Sequence, residues 1–225
     1  MTDLAHLSWT DLPDRPPVLV PLGSIEQHGP HLPLDTDTRI ADAVARAVAR
    51  RREERRPGER WLVAPPVVYA ASGEHQDFPG TMSIGNEALG FLLVELVRSL
   101  TLWSGRVVIV NAHGGNVGCL TSVVARLAEE GREAAWIPCF PERGDAHAGH
   151  TETSLMLHLA PELVDLKRAE AGNTAPLKEL MPALRASGVR AVSPSGVLGD
   201  PTTATAAEGA RLFAELLDRA EEALP

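Results

Sequence analysis

Long apolar runs are missing from this 225-residue sequence, in which no segment reaches the ~18 uninterrupted apolar residues of a membrane-spanning helix. The opening stretch MTDLAHLSWTDLPDRPP has neither the charged-then-apolar layout of a signal peptide nor the bias of a transit peptide, so a cytoplasmic protein with no membrane partner is expected. Positive charge is in deficit as well. With 21 Lys and Arg against 30 Asp and Glu, the formal net charge of -9 disfavours a nonspecific grip on nucleic acid. The basic run RRREERR at residues 50–56 is the local exception and reads as a solvated helix end near the negative pole of the helix dipole. Cysteine is scarce: Cys119 and Cys139 lack the close pairing of a zinc knuckle or a redox dithiol and read as buried thiols. There is no internal repeat or low-complexity tract, and no P-loop, no G-x-G-x-x-G after a strand, no G-x-S-x-G elbow and no H-E-x-x-H helix.

Hydrophobic residues at 44% and charged residues at 23% suit a globular chain with a proper core, and the length suits a single domain over residues 1–225. Apolar runs bounded by turn residues read as buried strands at residues 17–23 (PVLVPLG), 61–70 (WLVAPPVVYA), 106–116 (RVVIVNAHGGN) and 133–139 (EAAWIPC). Between them lie helical spacings: Ile40, Val44 and Val48, then Leu89, Leu92, Leu93 and Leu96 after a capping Asn86. Further helices are expected at 117–130, 152–159 and 205–224. Alternating strands and helices predict an α/β fold with a mostly parallel central sheet and helices on both faces, because parallel neighbours need a crossover long enough to hold a helix.

Sites in open α/β sheets form at the carboxyl ends of strands, and three of these runs end in polar clusters. In SIEQHG, Glu26 and His28 are two apart, which in an extended segment puts a carboxylate and an imidazole on one face, a metal-ligand pair. Asp37 stands at the start of the next helix, where it could bridge two cations or act as a plain N-cap. His113 in NAHGGN is either a ligand or a satisfied structural histidine. The cluster DAHAGHTETS supplies Asp145, His147, His150 and Glu152, some of which could merely cap a helix. Together these groups suffice for two divalent ions with open positions, the pattern of a hydrolase in which a metal-bound water becomes hydroxide near neutral pH.

Taken together, PLGSIEQHGPHLPLDTDT, SGEHQDFPGT, VNAHGGN and DAHAGHTETS resemble the creatininase (creatinine amidohydrolase) family of metal-dependent C–N hydrolases. The tail at residues 171–217 is similar to the mycofactocin-associated branch of that family, extending the resemblance over nearly the whole chain. The resemblance implies a three-layer fold and metal ligands at Glu26, His28, His113 and a bridging Asp37. In creatininase proper a glutamate lies two residues after the last His; this chain has Gly115 there, and Glu152 is the candidate to complete the second metal. The resemblance further implies proton transfer by His147 and substrate-side groups at Ser72 and His75. Two divalent ions per chain are implied, zinc, iron or manganese, and a homo-oligomer, possibly a hexamer. The implied substrate is a radical-SAM-modified precursor peptide, hydrolysed to release its modified C-terminal Val-Tyr dipeptide. Two other readings compete: an amidohydrolase acting on a small cyclic amide or formamide, and a noncatalytic metal-binding or scaffolding protein.

Overall fold

Strands that are apolar at every position, not at every second one, need cover on both faces. The computed structural model, which describes residues 3–141 and 144–224, builds such a sheet. Strand β1 (Val18–Leu22) lies between β2 (Leu62–Val63) and β3 (Val107–Asn111), and β4 (Ala134–Pro138) pairs with β3 on its far side, all parallel in the order β2-β1-β3-β4. Helix α1 (Thr36–Arg55) joins β1 to β2, α2 (Gly85–Leu100) joins β2 to β3, and α3 (Val117–Glu129) joins β3 to β4. Three helices follow the sheet: α4 (His150–Leu159), α5 (Leu177–Val192) and α6 (Ala206–Ala223).

The period-2 geometry of the strands divides the core in two. Leu19, Val108 and Val110 point into a layer with Ile40, Val44 and Val48 of α1, Leu155 and Met156 of α4, and Leu212 and Leu216 of α6. Val18, Val20, Leu22, Val107 and Ile109 point the other way, onto Leu89, Leu93 and Val97 of α2 and Leu120, Val123 and Leu127 of α3. The topology matters for function. From β1 the chain continues to β2 on one side, while β3 and β4 lie on the other, so the sheet's switch point falls between β1 and β3, where a crevice opens at the strand ends.

Several expectations from sequence are corrected here. The strand foreseen at 61–70 is only two residues long, since Pro65 and Pro66 have no N–H for the ladder; Val67 then makes a single bridge to Leu22. Asn86 does not cap α2, which begins at Gly85 without a side-chain cap. The basic run is not simply solvated: Arg51 pairs with Asp218 at 2.7 Å, Arg55 with Glu221, and Arg52 lies 5.6 Å over the ring of Trp61, tying the end of α1 to α6 and β2. Helix α5 was not anticipated, because Pro182 and a left-handed Gly188 (φ 71) interrupt its apolar period. Among the described residues no helix is long and apolar enough to cross a membrane.

The two thiols also differ. Cys139 is 3% exposed and burial pushes its pKa far up, whereas Cys119 is half-buried, its sulfhydryl donating to the Asn86 carbonyl at 3.6 Å. A thiol reagent at pH 8 should therefore leave Cys139 unmodified until denaturant is added. Mass-spectrometric detection of labelled Cys139 in the native protein would contradict this packing.

Candidate metal centre

The turn after β1 carries Glu26 and His28, the first turn of α1 carries Asp37, the turn after β3 carries His113, and the start of α4 carries Glu152, with His147 just before it. Chain-distant segments thus converge on the crevice between β1 and β3. Glu26 and His28 are fully buried, Asp37 is 1% exposed, and His113 and His147 are nearly so. Glu152, with its side chain 20% exposed, is the least buried of the six and lines the cavity with its Oε2 3.9 Å from His28 Nε2.

How these groups face one another defines the site. His28 Nδ1 lies 3.1 Å from the Glu26 carbonyl oxygen, which can only accept, so the proton on that ring is at Nδ1. His28 Nε2 then meets Asp37 Oδ1 at 3.0 Å with a lone pair against a carboxylate oxygen. Only a shared proton or a cation reconciles two acceptors. His113 repeats the pattern: Nε2 lies 3.2 Å from the Ala71 carbonyl, while Nδ1 lies 3.2 Å from both Glu26 Oε2 and Asp37 Oδ2. Both oxygens of Glu26 and Oδ2 of Asp37 are buried without a hydrogen-bond partner, a costly state for a carboxylate. Three groupings could hold an ion: Glu26, Asp37 and His113; His28, Asp37 and Glu152; and Glu26, His28 and His147. Asp37 belongs to the first two through opposite oxygens, as a bridging ligand would. The donor set therefore fits divalent cations.

Protons take the place of cations in the energetics. Burial opposes charge on His28, but Asp37, with Glu152 and Glu26 behind it, outweighs burial and lifts the imidazole to about 10. Burial opposes charge on Asp37 too, yet the His28 and His113 rings hold it well below the usual carboxylate range. Burial, with Asp37 and Glu26 nearby, lifts Glu152 to about 7, and its Oε2 accepts a 2.6 Å bond from Ala148 N–H. His147 goes the other way: burial and the neighbouring rings of His75 and His28 push it well below 6.5, leaving a neutral base. Its Nδ1 stands 3.8 Å from Glu26 Oε1 and 3.9 Å from Glu152 Oε2.

Of the residues singled out from sequence, Glu26, His28, Asp37, His113, His147 and Glu152 are brought together, and His75 joins them with Nε2 3.3 Å from Glu26 Oε1. Ser72 is not; it is fully buried with its hydroxyl on that of Ser24. Asp145 and His150 also stay outside, since Asp145 accepts the backbone N–H groups of His150 and Thr151, and His150 bonds Thr203 at 2.8 Å. Glu74 was overlooked. Its Oε1 lies 3.3 Å from His113 Nε2, and a Cβ placed on Gly115 would come within 2.4 Å of that oxygen. The space that a side chain at position 115 would enter thus already holds a carboxylate from another segment; the signal available was that Gly115 makes room for something.

Two cavities meet at this cluster. One, of about 950 Å³, reaches from Asp37, His113, His147 and Glu152 to the α5 residues Met181, Leu184 and Arg185. The other, of about 770 Å³, extends toward Phe140, His150, Thr203 and Arg211, and the two share Ala112, Gly114, Ala146, Glu152, Leu177 and Leu198.

The creatinine amidohydrolase (creatininase) model matches residues 5–224, so the chain belongs to that family, and a parallel α/β sheet with a buried carboxylate–imidazole cluster at its switch point suits a metal-dependent hydrolase. Its relatives are more particular. It is 62% identical over 221 residues, covering 96% of this chain and 88% of the other, to the mycofactocin precursor peptide peptidase of Mycobacterium ulcerans (strain Agy99). It is 38% identical over 154 residues, 65% of this chain and 58% of the other, to the 2-amino-5-formylamino-6-ribosylaminopyrimidin-4(3H)-one 5'-monophosphate deformylase of Methanothermobacter thermautotrophicus. Among solved structures, the putative creatinine amidohydrolase from Bacteroides fragilis superposes with a TM-score of 0.80 at 25% identity, over 98% of this chain and 94% of that one.

The facing acceptors give a pH signature. A proton on His28 stabilises the metal-free fold fully below 6.5, and that stability is lost as the pH rises through about 10; the raised Glu152 acts in the same direction between 4.5 and about 7. The chelator-treated protein should melt at progressively lower temperature from pH 6.5 to 10, while protein loaded with divalent metal, having exchanged protons for cations, should not. Parallel melting curves for the two forms would contradict a metal centre here.

Proposed function

We propose that this chain is a dinuclear metal-dependent peptidase that hydrolyses the radical-SAM-modified mycofactocin precursor peptide and releases its modified C-terminal Val-Tyr dipeptide. The observation that carries the reading is the set of orphaned carboxylate oxygens on Glu26 and Asp37 beside Glu152, where two cavities meet. A compact ring needs a closed pocket, whereas an extended peptide needs room on both sides of the scissile bond. The 62% identity to a mycofactocin precursor peptide peptidase supports the same substrate.

In this reading Glu26, Asp37 and His113 would hold one ion, and His28, Asp37 and Glu152 the other, Asp37 being common to both groups. Zinc, iron or manganese all suit these donors. When bound, such a pair supplies a hydroxide near neutral pH and a polarised scissile carbonyl. The protein's own groups do the rest. His147, neutral and carrying its proton on Nε2 toward the Gln27 carbonyl at 2.8 Å, keeps Nδ1 free to accept a proton from water and to pass it to the departing nitrogen. His75 lines the larger cavity with Nε2 3.3 Å from Glu26 Oε1, so it can both meet substrate and orient that carboxylate. The reading includes assembly into a homo-oligomer, for which the exposed apolar side chains Phe91 and Leu102, at 70% and 78%, are candidate contact residues.

The deformylase relative favours a second reading, hydrolysis of a small formamide or cyclic amide. Incubation with modified precursor peptide and each divalent metal, read by mass spectrometry, separates the two. Dipeptide release is expected; turnover of small amides with none of the peptide would favour the second. His147→Ala should lower kcat by about 10²–10⁴ while elemental analysis still finds about two metals per chain; loss of a metal would instead make His147 a ligand. Asp37→Asn should cost more metal than His28→Ala, and equal losses would argue against a bridge.

A further inference from the structure

Gln27 sits in the chain between Glu26 and His28, and its side chain is 5% exposed. The Gly29 N–H donates to Oε1 at 2.9 Å, which identifies the oxygen end of the amide. The nitrogen end approaches three groups: the Gly196 carbonyl at 3.1 Å, His75 Nδ1 at 2.9 Å and His147 Nε2 at 3.0 Å. An amide has two hydrogens to give. His147 Nε2 lies 2.8 Å from the backbone carbonyl of Gln27, an obligate acceptor, so that ring nitrogen is itself a donor and cannot take an amide hydrogen. The two hydrogens therefore go to Gly196 and to His75 Nδ1. His75, accepting at Nδ1, carries its proton on Nε2, the atom 3.3 Å from Glu26 Oε1. The socket is specific to this arrangement: Gly196 has φ 83, and a Cβ there would come within 1.9 Å of Gln27 Oε1.

We propose that Gln27 is a positioning residue of the metal centre: its side-chain amide and main-chain carbonyl decide which nitrogen of His75 and of His147 bears the proton. It thereby presents the His75 Nε2–H to Glu26 and leaves the Nδ1 lone pair of His147 facing the cluster. His75 is the outer partner of Glu26, and an oriented outer partner fixes the direction and basicity of a ligand, so losing the group that orients His75 costs affinity even though neither touches the ion. The proposal rests on the reading that the cluster holds divalent ions, and it concerns the geometry that makes the cluster competent.

The test uses the full chain labelled with 15N-histidine, with and without zinc, and three sequences: wild type, Gln27→Glu and Gln27→Met. Nitrogen–proton correlation spectra of the imidazoles should show both His75 and His147 with the proton on Nε2 in the wild type. In Gln27→Glu the nearly isosteric carboxylate can only accept, so the His75 proton should move to Nδ1, with zinc affinity, measured by competition with a chromophoric chelator, reduced about 10–100-fold. Gln27→Met removes the donor without adding an acceptor and should lose affinity similarly while its circular dichroism stays native. Retention of the Nε2 proton on His75 in Gln27→Glu, or zinc affinity within twofold of wild type in both variants, would overturn the proposal. Neither readout involves peptide, so a wild-type protein that binds zinc but leaves the precursor uncut would sink the functional reading and leave this one standing.

Discussion

Everything at the strand ends depends on one electrostatic constraint: the buried carboxylates of Glu26 and Asp37 are held among several imidazoles with acceptors turned toward acceptors. Glu26 and Asp37 are buried to the last per cent, and because the far nitrogens of His28 and His113 are committed to the carbonyls of Glu26 and Ala71, the near nitrogens can meet these carboxylates only through an added proton or a cation. A desolvated carboxylate without a partner is among the most expensive groups a fold can keep. The backbone commits the far nitrogens of the rings and leaves the inner face of the cluster to protons or cations, which makes sense if cations supply the missing charge.

The sheet provides the rigidity that such a constraint needs. Glu26 and His28 leave β1, His113 leaves β3, and those two strands are paired along five residues, so the first three groups sit on adjacent rails. Asp37 is brought in by α1, whose apolar face of Ile40, Val44 and Val48 is anchored on the same side of the sheet as Leu155 and Met156 of α4. Since α4 also begins with Glu152, the second half of the cluster depends on one core layer. Substitutions in that layer far from the crevice would move Asp37 relative to Glu152 before they moved Glu26 relative to His113.

Much of this was legible in sequence, for physical reasons that differ by element. The strands announced themselves because a two-sided burial requirement writes uninterrupted Val, Leu and Ile, as in β1 and β3. The charged groups clustered after them were legible as a candidate metal centre because no packing rule demands Glu26, His28 and Asp37 together. What stayed hidden depended on contacts across the chain. Glu74 looks like any loop carboxylate until Gly115, 41 positions later, is found beneath it. Helix α5 was invisible because Pro182 and Gly188 break its period, and Ser72, adjacent to a productive motif, turned out to satisfy Ser24 instead.

The same division separates chemistry from specificity. Relatives named for a peptide, a formylaminopyrimidine and creatinine all match this chain, so family membership on its own does not choose among them. The choice must lie in the walls. One wall is α5, which packs chiefly on the short turn at Gly73–His75 and is pinned by Arg190, whose guanidinium lies 5.3 Å over Phe78 and donates to the Asp77 carbonyl at 2.6 Å. That turn also carries Glu74 and His75, one against His113 and the other against Glu26. The wall that borders the substrate and the outer partners of the ligands are thus one mechanical unit. A peptide seated against Met181 and Leu184 would press on the segment that orients the centre, giving specificity a route to the chemistry through contact alone.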